Sequence, residues 1–264
     1  MKTILEFLKT SSIKPKVNAL IFASEGTSRL DTYHYGEPNI KFEYSFDGVN
    51  WKDWDLTELT IEKGTPLYLR GDNPNGISTS RASYFKFSMY GDNMSCTGNI
   101  MHLLDYNNDL DTIPSKYCFY HLFTNCKKLT AAPELPATTL TEGCYFSMFY
   151  GCNSLTTIPS ILPATTLEKN CYSYMFSCCS NLTTTPDLPA ETLVDNCYGY
   201  MFQDCKKLNY VNAMFTTTPS FGYTKHWLMH VSSTGAFVKN NKATWEDNSD
   251  SSIPNGWKVE ITKK

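Results

Sequence analysis

From residue 118 to residue 208 the apolar positions recur in one register, written four times. The copies read CFYHLFTNCKKLTAAPELPATTL from Cys118, CYFSMFYGCNSLTTIPSILPATTL from Cys144, CYSYMFSCCSNLTTTPDLPAETL from Cys171 and a partial CYGYMFQDCKKLNYVNA from Cys197, with first cysteines 26, 27 and 26 residues apart. Within a copy the apolar residues fall on the first cysteine and four, eight and eleven residues later, as in Cys144, Met148, Cys152 and Leu155, with Tyr145 and Phe149 beside them. At about 100° per residue these offsets lie at roughly 0°, 40°, 80° and 20°, which predicts a two-turn amphipathic helix with one wide apolar stripe. Asn170 and Asn196 precede their cysteines where an N-cap belongs, and Gly143 fills the same place in the second copy. The Leu-Thr-x-x-Pro-x-Leu-Pro that follows is too proline-rich for a central ladder strand and predicts a short extended segment. Self-similarity at this period is the mark of a solenoid, whose units bury their apolar faces by stacking on one another. The inward set is then Cys118, Cys126, Cys144, Met148, Cys152, Cys171, Met175, Cys179, Cys197, Met201 and Cys205.

Elsewhere the period is two. Ile40, Phe42, Tyr44 and Phe46 alternate with polar residues before an Asp47-Gly48 turn that leads to Trp51 and Trp54. Residues 67–70 and 85–89 are further strands, separated by the Asn73-Pro-Asn-Gly76 turn. Short strands punctuated in this way predict an antiparallel, sandwich-like module over 19–98. Residues 99–117, with Ile100, Leu103 and Leu104, cover the first unit of the solenoid, which runs over 99–214. After Leu208 the repeat decays, and strands over 234–239 and 257–262 close the far end within a β-rich cap, 215–264. The fold class is α+β: a sandwich-like module, a short leucine-rich-repeat solenoid and a β-rich cap. Residues 1–18 stand apart as an arm. Glu6 and Lys9 break its apolar stretch, so it lacks the unbroken centre of a secretory signal.

Composition narrows the chemistry. A net charge of −3 without a Lys/Arg run argues against a nucleic-acid partner, and no apolar run is long enough to span a bilayer. Eight of the ten cysteines occupy two equivalent repeat positions, where a thiol packs as a small hydrophobe; their Cys-x7-Cys spacing is not a zinc spacing. A reduced ladder suits folding in a reducing compartment. Cys178, beside Cys179, falls off the inward face as the most accessible thiol. His226 and His230 are four apart, but Trp227 stands where a metalloprotease helix needs Glu, so the pair reads as structural. Asp105, Asn107, Asp109 and Asp111 alternate like the start of a calcium loop, yet Leu110 and Lys116 replace its glycine and closing glutamate. No phosphate loop, dinucleotide fingerprint or nucleophile–base pair is present, and neither enzyme activity nor a cofactor is expected.

The outward positions of the repeat are aromatic where Lys and Glu usually sit. Tyr120, His121, Phe146, Tyr150, Tyr174 and Tyr200 lie there, with Tyr174 and Tyr200 in the same slot of consecutive copies. Neighbouring copies or flanking modules cover such residues individually; as a group they are the candidate contact surface for a partner protein or a sugar.

The Met-Phe-x-x-Cys-x-x-Leu-Thr-x-x-Pro pattern resembles BspA-like leucine-rich repeats. The fuller form, with Cys-Tyr-x-x-Met-Phe and Leu-Pro-Ala-Thr-Thr-Leu, is similar to proteins of gut Bacteroidales and their crAss-like bacteriophages. It covers about a third of the chain directly, and the stretch from His226-Trp227 through Ile253-Pro-Asn-Gly-Trp257 resembles their closing module. The resemblance implies a non-enzymatic virion protein, a capsid- or tail-attached fibre or decoration module that attaches to a host or mucosal surface. Its partners would be other virion proteins, held through the N-terminal arm, and a host surface protein or glycan; it would be a homo-oligomer, with no nucleic acid bound and no membrane insertion. The alternatives are a bacterial cell-surface adhesin, which would carry an export signal, and a carbohydrate-binding accessory module acting through Trp51 or Trp54.

Overall fold

The computed structural model describes residues 17–36, 39–245 and 251–262 of the 264-residue chain. It is β-rich, with several sheets; among the described residues the helical content is one 3-10 turn, Ile100–Leu103. The arm lies almost wholly outside the described residues; at its end Asn18 donates its amide to the Tyr106 carbonyl at 3.1 Å.

The period-two stretches form eight strands: β1 (Leu20–Ser24), β2 (Ser28–Tyr35), β3 (Phe42–Ser45), β4 (Lys52–Asp53), β5 (Leu59–Ile61), β6 (Leu67–Gly71), β7 (Tyr84–Gly91) and β8 (Met94–Thr97). β5-β2-β7 make a three-stranded antiparallel sheet, and β4-β3-β6-β1-β8 continue into β9 (Leu129–Ala131) of the first copy, which joins β8 in parallel. Alternation decides what lies between the two sheets. On β7, Phe85, Phe87 and Met89 point inward while Tyr84, Lys86 and Ser88 point out. Phe87 packs edge-on against Phe22 at 5.8 Å and Phe85 against Phe42 at 5.5 Å. Both predicted turns form: the Asp47 carboxylate accepts the Val49 and Asn50 N–H groups, and the Gly76 N–H returns to the Asn73 carbonyl at 2.9 Å.

The copies do not form helices. Within 117–126 alternate N–H groups bond three residues back, as Tyr120 does to Tyr117 and Leu122 to Phe119. The others cross to the next copy: Tyr117 to Glu142, Phe119 to Cys144, His121 to Phe146, Phe123 to Met148 and Asn125 to Tyr150, over 2.7–3.1 Å. The second copy bonds the third, and the third the fourth, in the same pattern. Each copy is thus a flat row of overlapping turns. Every fourth residue has positive φ: Tyr117, His121 and Asn125, then Gly143, Ser147 and Gly151, then Asn170, Tyr174 and Cys178, then Asn196, Tyr200 and Asp204. The real period is four, and side chains return to the same direction without the drift of a 3.6-residue helix. This corrects the N-cap assignment. Gly143, Asn170 and Asn196 stand before their cysteines because glycine and asparagine best tolerate the left-handed region. At Gly143 and Gly151 an added Cβ would lie 2.5 Å from the Tyr117 ring and 2.4 Å from Asn125 Oδ1, so those side chains would have to shift.

The repeat also does not decay after Leu208. Asn196, Tyr198, Tyr200, Phe202 and Asp204 donate to the carbonyls of Gly222, Tyr223, Lys225, Trp227 and Met229, and His226 and His230 take the positive-φ slots of a fifth row. Trp227 stands in the methionine position and Leu228 in the phenylalanine position. Beyond each row the extended segments build a second parallel ladder, from the Ala131–Thr157 and Ile161–Asp187 bridges to the sheet β10 (Thr184–Leu188), β11 (Tyr210–Ala213), β12 (Ala236–Lys239) and β13 (Lys258–Ile261).

Stacking produces the core. All eleven inward cysteines and methionines are fully buried. Beside them run two ring columns, Phe87–Phe123–Phe149–Phe176–Phe202 at 5.3–5.6 Å and Phe119–Tyr145–Tyr172–Tyr198–Trp227 at 5.6–6.1 Å. The first row is covered by β7 and its approach loop, through Phe87 N–H to the Leu122 carbonyl and Ser78 N–H to the Cys118 carbonyl. One hydrophobic cluster therefore runs from Leu20 to Trp257.

Candidate functional site

In each row the first two residues of every group of four face inward and the next two face out. Tyr120, His121, Phe146, Tyr150, Tyr174 and Tyr200 occupy outward places and all are half-buried. His121, Tyr174 and Tyr200 do so with φ of 60°, 56° and 58°, a backbone region that bulky residues rarely enter. Each donates its N–H to the next row, His121 to Phe146, Tyr174 to Gly199 and Tyr200 to Lys225, while its carbonyl closes a turn in its own row.

Stacking of the rows makes these side chains one stripe. Tyr120 and His121 meet Phe146 at 5.6 and 6.4 Å, Phe146 meets Tyr174 at 5.5 Å, and Tyr174 stacks on Tyr200 at 4.3 Å and 9°. Tyr150 sits outside this chain of rings, its hydroxyl facing Cys178, which with the phenol's partial burial raises its pKa. Burial, then Tyr200, pushes the Tyr174 phenol up to about 12, and burial also raises Tyr120. Burial, helped by Lys86 and Arg81, holds His121 down at about 4. At neutral pH the His121 imidazole is therefore uncharged, and the Tyr120 and Tyr174 phenols keep their protons as hydrogen-bond donors.

The stripe is longer than the sequence alone indicates. At one end Tyr84 packs on Tyr120 and His121 at 5.5 and 5.6 Å and on exposed Tyr35 and Tyr33 at 6.0 and 6.4 Å. At the other end Tyr200 meets His226 at 5.5 Å, and His226 meets Phe221, which is 62% exposed. The outward positions of β7 were legible from its alternation. Phe221 was not, because the fifth row carries no cysteine to mark it.

Cations rim the rings. Arg81 lies 4.9 Å from the Phe146 ring, Lys86 5.4 Å from Tyr33, and Lys225 4.1 Å from Phe221 and 5.3 Å from Tyr200. Along the stripe runs an open groove of about 680 Å³ floored by Phe146, Tyr174 and Tyr200 and walled by Lys169, Asn170, Asp195 and Asn196.

The buried cysteines do different work. In the second column, Cys126, Cys152, Cys179 and Cys205 donate their S–H groups to the carbonyls of Phe87, Phe123, Phe149 and Phe176, one row back, at 3.1–3.3 Å. Burial pushes the Cys126 and Cys144 thiols up to about 12 and Cys197 to about 11, so they stay protonated. All ten cysteines are unpaired, and Cys178 is half-exposed beside Ser177. Among the described residues no three His, Cys, Asp or Glu side chains are grouped to hold a metal ion.

The remaining candidates are local structure. Asp105 turns its carboxylate onto the Asn107 N–H and the Asn108 amide. His230 pairs with Asp204 of the preceding row at 2.9 Å. Trp54 is buried, with its indole N–H on the Thr57 carbonyl. One face of Trp51 is taken by Arg70, whose guanidinium lies 3.8 Å from Trp51 and 3.9 Å from Tyr106 and bonds Glu43 at 2.7 Å.

No known family model, curated protein or solved structure matches this chain. No helix among the described residues is long and apolar enough to cross a membrane.

Proposed function

We propose that this chain is a non-enzymatic recognition protein: a short solenoid of leucine-rich-repeat type that presents its aromatic stripe to a host surface protein or glycan. The observation that carries this reading is the unbroken series from Tyr84 through Tyr120, Phe146 and Tyr174 to Tyr200. A solvated face rarely spends aromatic side chains, least of all in strained backbone, whereas contact surfaces are rich in them. The Tyr174 phenol in the groove, pushed up to about 12 by burial and Tyr200, suits contact more than proton transfer.

Because the repeat resembles those of crAss-like phages, we place this activity on a virion assembled in the host cytoplasm. The arm, residues 1–18, would join other virion proteins, and the chain would act as a homo-oligomer. A bacterial cell surface is the alternative setting. The test combines location with contact. Purified phage particles should contain the chain by mass spectrometry, and labelled protein should bind intact host cells. A Tyr174→Ala/Tyr200→Ala variant that keeps its fold should lose at least about tenfold in that binding. Unchanged cell binding by that variant would remove the stripe from the function, and absence from particles would remove the virion setting.

A further inference from the structure

We infer that the groove along the stripe binds a linear acidic polysaccharide, with Arg81 and Lys225 holding its anionic groups. This rests on the recognition reading above and assigns its ligand class.

Charge is the first argument. Arg81, Lys169 and Lys225 line the groove against one carboxylate, Asp195. Arg81 and Lys225 are directed by aromatic rings, and among the described residues neither has a carboxylate within ion-pair distance. A ring orients a cation without neutralising it, so both charges remain for a ligand. They sit at opposite ends of a run of phenols and amides, where a charged polymer with regular repeats would meet them in turn.

Backbone bonding is the second. Asn170, Tyr174, Asn196 and Tyr200 send their N–H groups to Asp195, Gly199, Gly222 and Lys225 at 2.6–3.1 Å. An extended peptide binds a sheet by adding to free backbone groups, and here the inter-row ladder has used these donors. What remains is side chain: the Tyr174 and Tyr200 hydroxyls and the Asn170–Asn196 amide pair, whose mutual bond is 2.8 Å. Hydroxyls and amides are the natural partners of sugar hydroxyls.

Ring geometry is the third. Single-stranded nucleic acid also combines negative charge with aromatic contact, but its bases need an open ring face. Tyr174 and Tyr200 each cover one face of the other at 4.3 Å, and Phe146 and His226 flank the pair at 5.5 Å, so little ring face is left beside the edges and hydroxyls. Sugar hydroxyls can use those; a base cannot stack on them.

The test titrates the full chain with dextran sulfate, polygalacturonate, neutral dextran and oligo-dT. Binding is expected to at least one of the two acidic polysaccharides, and which one separates sulfate from carboxylate. Arg81→Ala/Lys225→Ala should weaken it by at least about tenfold, and raising NaCl from about 0.05 to 0.5 M should weaken it further. Melting curves of the variant should match the parent. Unchanged affinity in that variant, tighter binding of oligo-dT, or no binding of either acidic polymer overturns the inference. Neutral dextran bound equally well, and lost in Tyr174→Ala/Tyr200→Ala, overturns the acidic class while leaving the recognition reading intact.

Discussion

At the scale of single residues, protonation shows most plainly what burial has done. His121 is held at about 4, below its ordinary value of 6.5. Between those pH values the unfolded chain takes up a proton that the folded chain refuses, so stability falls as pH drops from about 7 toward 4. Replacing His121 with Asn, which also tolerates its positive φ, should flatten that slope by on the order of 2 kcal/mol in urea titrations at the two pH values. The thiols act at the other extreme. Their folded pKa values lie above the ordinary 9, so their contribution is complete below pH 9 and is lost above it as the unfolded chain deprotonates first. Circular dichroism should show alkaline unfolding beginning just above pH 9; equal urea stability at pH 8 and pH 10 would contradict this. The Tyr145 hydroxyl is placed at an energetic cost. Among the described residues the buried Tyr145 oxygen has no hydrogen-bond partner, and the same column position in the first copy is Phe119. Tyr145→Phe should leave stability unchanged or raise it by up to about 1 kcal/mol in urea unfolding.

At the scale of the element, the repeat is a row of turns because its backbone donors have two destinations. Alternate N–H groups close turns inside the row and the rest bond the next row, so a row has no stable form of its own. The second cysteine column ties the rows together once more, through S–H donors that valine or alanine would lack. Cys152→Ala should cost about 1–3 kcal/mol from the lost bond and the small cavity. Cys178→Ala, at an outward place, should stay within about 0.5 kcal/mol. Equal effects in thermal or urea unfolding would mean that the buried thiols only fill space. The inward set was legible because period four and period 3.6 select almost the same residues over nine positions. The error lay in the backbone, and its signal was there to read: Asn125, Gly143, Gly151, Asn170, Asn196 and Asp204, residue types that accept positive φ, stand at the first or ninth place of their rows, eight apart where both places are filled this way. Hydrophobic periodicity does not register that preference.

At the scale of the whole molecule, the strand module, the rows and the closing sheet share one core. β8 pairs with β9 across the start of the repeat, and Phe87 begins a ring column that ends at Phe202. Coupling of this kind predicts one cooperative transition, with tryptophan fluorescence and far-ultraviolet dichroism coinciding. A chain ending at residue 214 should lose it. That truncation removes the fifth row, leaves Tyr198 and Phe202 without Trp227 above them, and should bind a hydrophobic dye and aggregate. Two separated transitions in the full chain would show that the strand module folds independently.

Sequence alone determined that copies stack, which face turns inward, where the alternating strands lie and which outward positions of the repeat are aromatic. Each follows from periodicity, and periodicity is a property of the chain by itself. The backbone form of the copies was decided by tertiary structure, because half of its hydrogen bonds go to residues about 26 positions away. So was the extent of the stripe: Tyr84 and Phe221 reach it from a strand and from an unmarked fifth row, and only the stacking brings them to Tyr120 and, through His226, to Tyr200. That Arg81 and Lys225 meet rings and, among the described residues, no carboxylate is likewise a fact of placement. The composition contains 26 acidic residues against 23 basic ones, and which cation meets a ring instead of a carboxylate is settled by the fold.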